Sequence, residues 1–347
     1  MGTAPLGEVT LAASHLGVAT FTPTNWEMLS PGRRLIRAEY EGTTADGPIN
    51  KQTVNVAGYY GSKSGPPYLT QDVYLSGLVG LNSVTIGSTS SFADSFDSSD
   101  PGGYAATQAK RARVLSNGTI TLKGSKVYGN VLSANGNVVL ENGSMVDGNV
   151  TGLGISGPGI VTGARTIHSS APMTPLVPIE PCAPFSNPGS SITGNYSYNP
   201  KNGTLSANGQ TVLIFAPGTY CFRSITLNGG ATIQVNAGPV IIKLTGAVAA
   251  AGGSFANLTA IPANLRIESS YTGNGGVVLG GNNNAYLTLY APNTDVSLQG
   301  SMSFGAVVGR TLTVSGSTAL HYDNAPSSAG WAIWSAWGFY FGLPFYP

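Results

Sequence analysis

The chain has 347 residues, a net charge of +1 and only 9% charged residues, so nucleic acid and anionic membrane surfaces have no electrostatic claim on it. Its 48 glycines alone would suit a disordered polymer, but 41% of the residues are hydrophobic, which calls for a packed core. No run approaches the roughly 20 apolar residues of a membrane-spanning helix, and no Gly-X-Y period suggests collagen.

The opening MGTAPLGEVTLAASHLGVAT lacks a basic stretch followed by an apolar one, so no export signal is visible in it. Residues 1–75 are irregular, with a charged run at Arg33, Arg34, Arg37, Glu39 and Glu41 and one alternating strand, TVNVAGYY, from Thr53 to Tyr60. They read as an N-terminal cap or a small leading β domain. A repeating array needs such a cap, because a bare edge strand invites pairing.

Repeating character begins near Val73 and is followed by SFADSFDSSDPGGY, in which Asp94, Asp97 and Asp100 stand three apart. Several carboxylates in one loop suit Ca²⁺, the one cofactor the sequence suggests, although the spacing departs from the alternating D-x-D-x-D-G loop. The structural alternative is a turn whose Asp and Ser side chains bond nearby amides. Tyr104 to Val114 is the best helix in the chain, with Lys110, Arg111 and Arg113 near its C-terminal end, where cations suit the dipole.

The segment from Ser116 to Gly152 is one phrase written twice. Ile120, Leu122, Val127, Gly129 and Val131 correspond to Val138, Leu140, Val146, Gly148 and Val150, a repeat of about 18–19 residues with period-2 alternation inside it. A unit this short cannot bury its apolar face alone and must stack on its neighbours. The expected fold is all-β, a parallel β-helix (β-solenoid) with about 18–19 residues per coil over residues 76–325. A further coil follows through GISGPGIVTG. Its Gly152, Gly154 and Gly157 match G-x-G-x-x-G, but Pro158 and Gly159 stand where a nucleotide-binding helix would start.

Residues 171–188 hold six of the 22 prolines, which central strands exclude. They read as an extended polyproline-like excursion, within a break near 164–208, between two blocks of coils. Cys182 and Cys221 either form a disulfide closing a loop of about 40 residues or are two buried thiols. The second block, from about Gln210 to Asp323, supplies strand after strand with Gly or Pro at the corners. Leu289 and Val307, and Val296 and Val314, are again about 18 apart.

The tail, residues 326–347, carries Trp331, Trp334, Trp337, Phe339, Tyr340 and Phe341, a dense apolar aromatic run after Asp323. It is either a cap that folds back on the chain or an assembly interface.

FAPGTYCFRSITLNGGATIQVNAGPVIIKLTG and TLYAPNTDVSLQGSMSFGAVVGRTLTVSGSTALHYD resemble an uncharacterised β-helical domain of bacterial pilus-assembly-like proteins, which there follows a PilX-type N-terminal segment. DSFDSSDPGGY and SNGTITLKGSKVYGNV look like earlier landmarks of the same domain. The pattern covers roughly residues 76–323, and its most specific pieces are Asp94 to Ser98, Tyr290 to Pro292 and His321 to Asp323. The repeats are also similar to those of bactofilins, polymer-forming β-helical proteins. Together these resemblances imply a right-handed β-helix, exported and displayed on a bacterial cell surface or filament. The long apolar helix that anchors a pilin has no counterpart in this sequence.

The function that follows is a non-enzymatic extracellular structural protein, surface-displayed or pilus-associated, that self-associates into a homo-oligomer or filament and serves adhesion or assembly. Its expected partners are further copies, pilus or cell-surface components, or a polysaccharide. Two alternatives remain. A polysaccharide-binding or polysaccharide-degrading β-helix, lyase or hydrolase, would need paired carboxylates or a Ca²⁺ cluster, and only Asp94, Asp97 and Asp100 are dense enough. An ice- or crystal-binding face would need ranked threonines, and Thr119/Thr121 and Thr311/Thr313 do not recur coil after coil. His15, His168 and His321 have no partner in sequence; alternation places His321 and Asp323 on one face, with Tyr322 opposite.

Overall fold

Leu122 lies directly beside Leu140, Ile120 beside Val138, Val127 beside Val146 and Val131 beside Val150, each pair on neighbouring parallel strands. The repeat seen in the sequence is therefore a repeat in space. A computed structural model describes residues 77–325, apart from 168–178, 180–181, 251, 281–283 and 301. It also describes strand backbones at 20–21, 32–40, 43–44, 47–48, 52–60, 332–335 and 338–341. The chain divides into two units, Met1–Tyr74 with Pro326–Pro347, and Leu75–Ala325. The fold is all-β and parallel pairing dominates it; among the described residues the single α-helix is Gly103–Thr107.

Within Leu75–Ala325 the strands fall into three columns, because each turn of chain contributes one strand to each. The first column runs Gly218–Phe222, Val240–Leu244, Leu265–Ser269, 288–290, 307–309, 78–80, Ala112–Ser116, Gly129–Ser133, Val150–Gly152 and Arg165–Ile167. The second runs from Thr204–Ala207 to Gly154–Ser156 through the same turns. In the third, Val212–Phe215, Thr232–Val235 and Ser254–Asn257 form one ladder. A second ladder in that column climbs from 284–287 to Ile160–Val161.

The order within these columns is not the order of the chain. Residues 307–314, near the end of the second block, pair in parallel with residues 78–86, the start of the first. Ala319–Asp323 likewise pairs with Phe92–Phe96. The two blocks thus join by the last strands of one and the first strands of the other, a junction we call the seam. The core crosses it without interruption. Leu205, Ile225, Val248, Val277, Val296, Leu312, Val84, Ile120 and Val138 stand in one register row and are all buried.

The turns are less uniform than the repeat suggests. Val296 pairs with Leu312, not Val314, because the register shifts between Ala291 and Asp295; Leu289 does pair with Val307. In the second block, partners such as Val248 and Val277 are 29 residues apart. The extra residues sit in loops at the corners, where they leave the pairing intact. Glycine is demanded at one stacked corner: Gly129 has φ +148°, and a Cβ there or on Gly148 would lie 2.1 Å from the carbonyl oxygen of the turn beneath.

The outer end of the second block is closed against further pairing. Ile192–Thr193 runs antiparallel to Val212–Phe215, and Ser197–Asn199 antiparallel to Thr204–Ala207. Ser186 covers the remaining edge by bonding the backbone of Cys221 in both directions. Cys182 and Cys221 are disulfide-bonded there, with Cα atoms 5.6 Å apart. The Pro-rich excursion lies mostly outside the described residues, and strands at Arg165–Ile167 and 192–207 occupy the margins of the expected break.

The expected helix from Tyr104 to Val114 is cut short. It spans Gly103–Thr107, and Ala112–Ser116 is instead a strand paired on both sides, to Gly129–Ser133 and 78–80. Tertiary pairing overrides local helix propensity here. In the other unit, Gln52–Tyr60 pairs with Gly32–Tyr40. Ala332–Ser335 and Gly338–Phe341 form a hairpin that places Trp334 opposite Phe339 and Ile333 opposite Tyr340, and Thr20–Phe21 pairs with its second strand. Trp331 and Trp337 lie outside the described residues, as do His15 and His168. No helix among the described residues is long and apolar enough to cross a membrane.

Candidate functional site

Between Phe92–Phe96 and Ala112–Ser116 the chain makes a detour that the next turn lacks. Val127 and Gly129 are two residues apart, whereas their register partners Ala93 and Ala112 are separated by nineteen. The detour folds back over the third column, anchored by paired backbone bonds between Ser95 and Ala109. It carries Gly103–Thr107 and buries what that column presents on the side away from the aliphatic core.

What it covers is a register row of Tyr286, Phe304, His321 and Asp94. Alternation sends Leu320 and Ala93 into the core, so His321 and Asp94 face the other way. Phe304 stacks on Tyr286 at 4.2 Å and on His321 at 4.3 Å between ring centroids. Tyr104, from the detour, lies across the imidazole at 4.1 Å, and Phe92 meets it edge-on.

Asp94 and His321 are each 1% exposed, and Asp94 Oδ1 is 2.5 Å from His321 Nδ1. The other carboxylate oxygen accepts from the Tyr104 hydroxyl and from Gln108 Nε2, both at 2.8 Å. Burial, and then the Asp94 carboxylate, push the Tyr104 hydroxyl far above the ordinary tyrosine range, which keeps it a donor. His321 Nε2 is sealed from solvent and has no hydrogen-bond partner.

Two residues along, Asp323 Oδ1 accepts from the backbone amides of Ser98 and Ala325 at 3.0 Å, and Oδ2 from the Ser98 hydroxyl at 2.6 Å. On the other flank, Ser91 donates to the Gly316 carbonyl and accepts from the Thr318 amide. The His321–Asp94 contact, the Ser98 bonds to Asp323 and both Ser91 bonds cross the seam. DSFDS and HYD, which sequence could only present as two separate landmarks, are therefore the two halves of one joint.

Burial raises the Asp323 carboxyl above the usual carboxylate range. An acid raised on folding contributes stability below its ordinary value and loses that contribution as pH rises through the folded one. Asp323→Asn keeps an acceptor for both amides and removes the buried charge. We expect it to unfold at higher urea than the parent near neutral pH, with the gap closing as pH falls toward about 4. A gap independent of pH would contradict this account.

Asp94, Asp97 and Asp100 do not converge. Asp94 is turned into the cluster, Asp97 accepts from the Ser99 amide and hydroxyl, and Asp100 accepts from the Gly102 amide at 2.7 Å. Among the described residues no group of three His, Cys, Asp or Glu side chains could hold a metal ion. Sequence reasoning missed Tyr104 and Gln108 as members of the site, because only the detour brings them to Asp94.

Beside the cluster lies a cleft of about 530 Å³, whose lining includes Ser90, Phe92, Gln108, Lys110, Lys126 and Tyr128 and which reaches Asp94. Lys110 pairs with Asp147 at 2.6 Å. The lining mixes aromatic and aliphatic surface with hydroxyls and the Lys126 and Lys110 side chains, the latter already paired. The cleft is therefore amphipathic and suits a hydroxyl-rich ligand with an apolar face.

A family described as a domain of unknown function (DUF7305) matches residues 224–328, less than a third of the chain. No curated protein matches it. Among solved structures it is similar to the competence-associated pilin ComZ from Thermus thermophilus, at 10% identity over 86% of this chain and 83% of that one. The TM-score of that likeness is 0.29, which carries no argument about role.

Proposed function

We propose that the chain is an extracellular structural protein of the bacterial surface. It is a right-handed β-solenoid of about ten coils, displayed on the cell or along a pilus or other filament, and it self-associates. The observation that carries this reading is the aliphatic row running from Leu205 to Val138 through the seam, since a core continuous over so many turns makes a stiff body. The disulfide at one end suits an oxidising compartment. We propose further that the protein acts without catalysis and without a cofactor. The His321 imidazole is committed to Asp94 on one nitrogen and sealed on the other, so it has no route to a substrate.

A polysaccharide partner is the second reading, favoured by the cleft around Lys110, Lys126 and Tyr128. Sedimentation of the purified full chain at increasing micromolar concentration, with parallel incubation on pectin and alginate, separates the readings. Concentration-dependent oligomers without product are expected. A monomer at every concentration, or clear turnover of a polysaccharide, would overturn the structural reading.

A further inference from the structure

The seam joins strands more than 220 residues apart in the chain, and no backbone crosses it. The chain enters the stack at Gly77, whose carbonyl accepts from Val307, and leaves beyond Asn324, whose amide donates to Phe96. Ahead of the first block, Thr20–Phe21 pairs with Gly338–Phe341 beyond the second. The covalent link between the two blocks runs through the residues between Arg165–Ile167 and the disulfide at Cys182, which lie at opposite ends of the first column. Nine strand spacings separate those ends, roughly 43 Å at about 4.8 Å each. The fifteen residues from Ile167 to Cys182 reach at most about 50 Å. So little slack lowers the effective concentration of one half-seam at the other.

Opened, each half-seam is a set of unpaired strand edges that must be covered. The first half, residues 78–96, is synthesised long before residues 302–323 can cover it. Another copy offers the same partner in the same register, with the same His321–Asp94, Asp323–Ser98 and Thr318–Ser91 bonds. Nothing new has to be built for that exchange.

We infer that copies of this chain associate by making the seam between molecules, 302–323 of one copy against 78–96 of the next. The seam is then a joint that closes within one chain in the monomer and between chains in the assembly. The half-seams left over at the ends of an open assembly recruit further copies. This inference rests on the reading of the protein as self-associating and specifies how it does so.

Thr85 and Thr313 are in register across the seam, Thr85 half-buried and Thr313 exposed. In the full chain carrying Thr85→Cys and Thr313→Cys, oxidation at rising protein concentration should give a ladder of covalent dimers and higher species on a non-reducing gel. Each single variant should stop at dimers. Removing residues 172–177 leaves nine residues, a reach of about 30 Å, too short to close the seam within one chain. That variant should contain no monomer, and its double-cysteine form should bond only between chains.

A folded monomer of the shortened chain would overturn the inference. So would oligomers of the unshortened chain whose added cysteines bond only within chains; self-association would then stand while the seam as its route fell. Intrachain bonding in a chain that stays monomeric would remove both. If the shortened chain fails to fold, the double-cysteine ladder still decides.

Discussion

Asp94→Ala should cost about 3–5 kcal/mol, read as a shift of the urea midpoint at unchanged slope. The carboxylate is the shared acceptor of three groups: the buried His321 Nδ1, the half-buried Tyr104 hydroxyl and the exposed Gln108 Nε2. Alanine strands the buried imidazole and the half-buried hydroxyl, each with its own desolvation penalty, while Gln108, on the cleft, turns to water. Asp97→Ala and Asp100→Ala remove only bonds to amides and a hydroxyl in exposed turns, so each should cost about 1 kcal/mol or less. Equal losses at the three aspartates, together with a midpoint that rises with added Ca²⁺, would mean that they act together as a cation site.

The double substitution Cys182→Ser and Cys221→Ser should cost about 4 kcal/mol, from the loop of 39 residues that the disulfide closes in the unfolded chain. A local effect comes with it. Cys182 holds the segment leading to Ser186, and Ser186 covers the edge of Gly218–Phe222. Hydrogen exchange of Gly218–Phe222 and Val240–Leu244 should therefore accelerate before that of Gly129–Ser133 at the far end. Identical urea midpoints with and without reductant would contradict both parts.

The duplicated phrase from Ser116 to Gly152 disclosed its own pairing, since a period of about 18–19 residues with alternating aliphatics leaves parallel stacking as the way to bury them. Leu122 beside Leu140 follows directly. The order of the two blocks did not follow. Periodicity reports how far apart partners are within a run of turns, and it is blind to which run lies beside which. Val84 looks equally ready to accept Leu312 beneath it or to end the stack.

The site was half legible. Asp94 to Ser98 and His321 to Asp323 stood out as residues, and alternation put His321 and Asp323 on one face. Their meeting depends on the seam, and Tyr104 and Gln108 depend on a detour whose length resembled a helix. Lys110, Arg111 and Arg113 encouraged that reading; strand pairing of Ala112–Ser116 on both sides outweighed it.

Amide–amide contacts in the dilute, deuterated monomer, read by nuclear Overhauser spectroscopy, test the permuted order of the blocks most directly. The account predicts cross-peaks between Ala93 and Leu320 and between Thr85 and Thr313, which are register neighbours across the seam. Cross-peaks joining Arg165–Ile167 to Gly218–Phe222 in their place would mean that the blocks stack in chain order, and the seam would not exist.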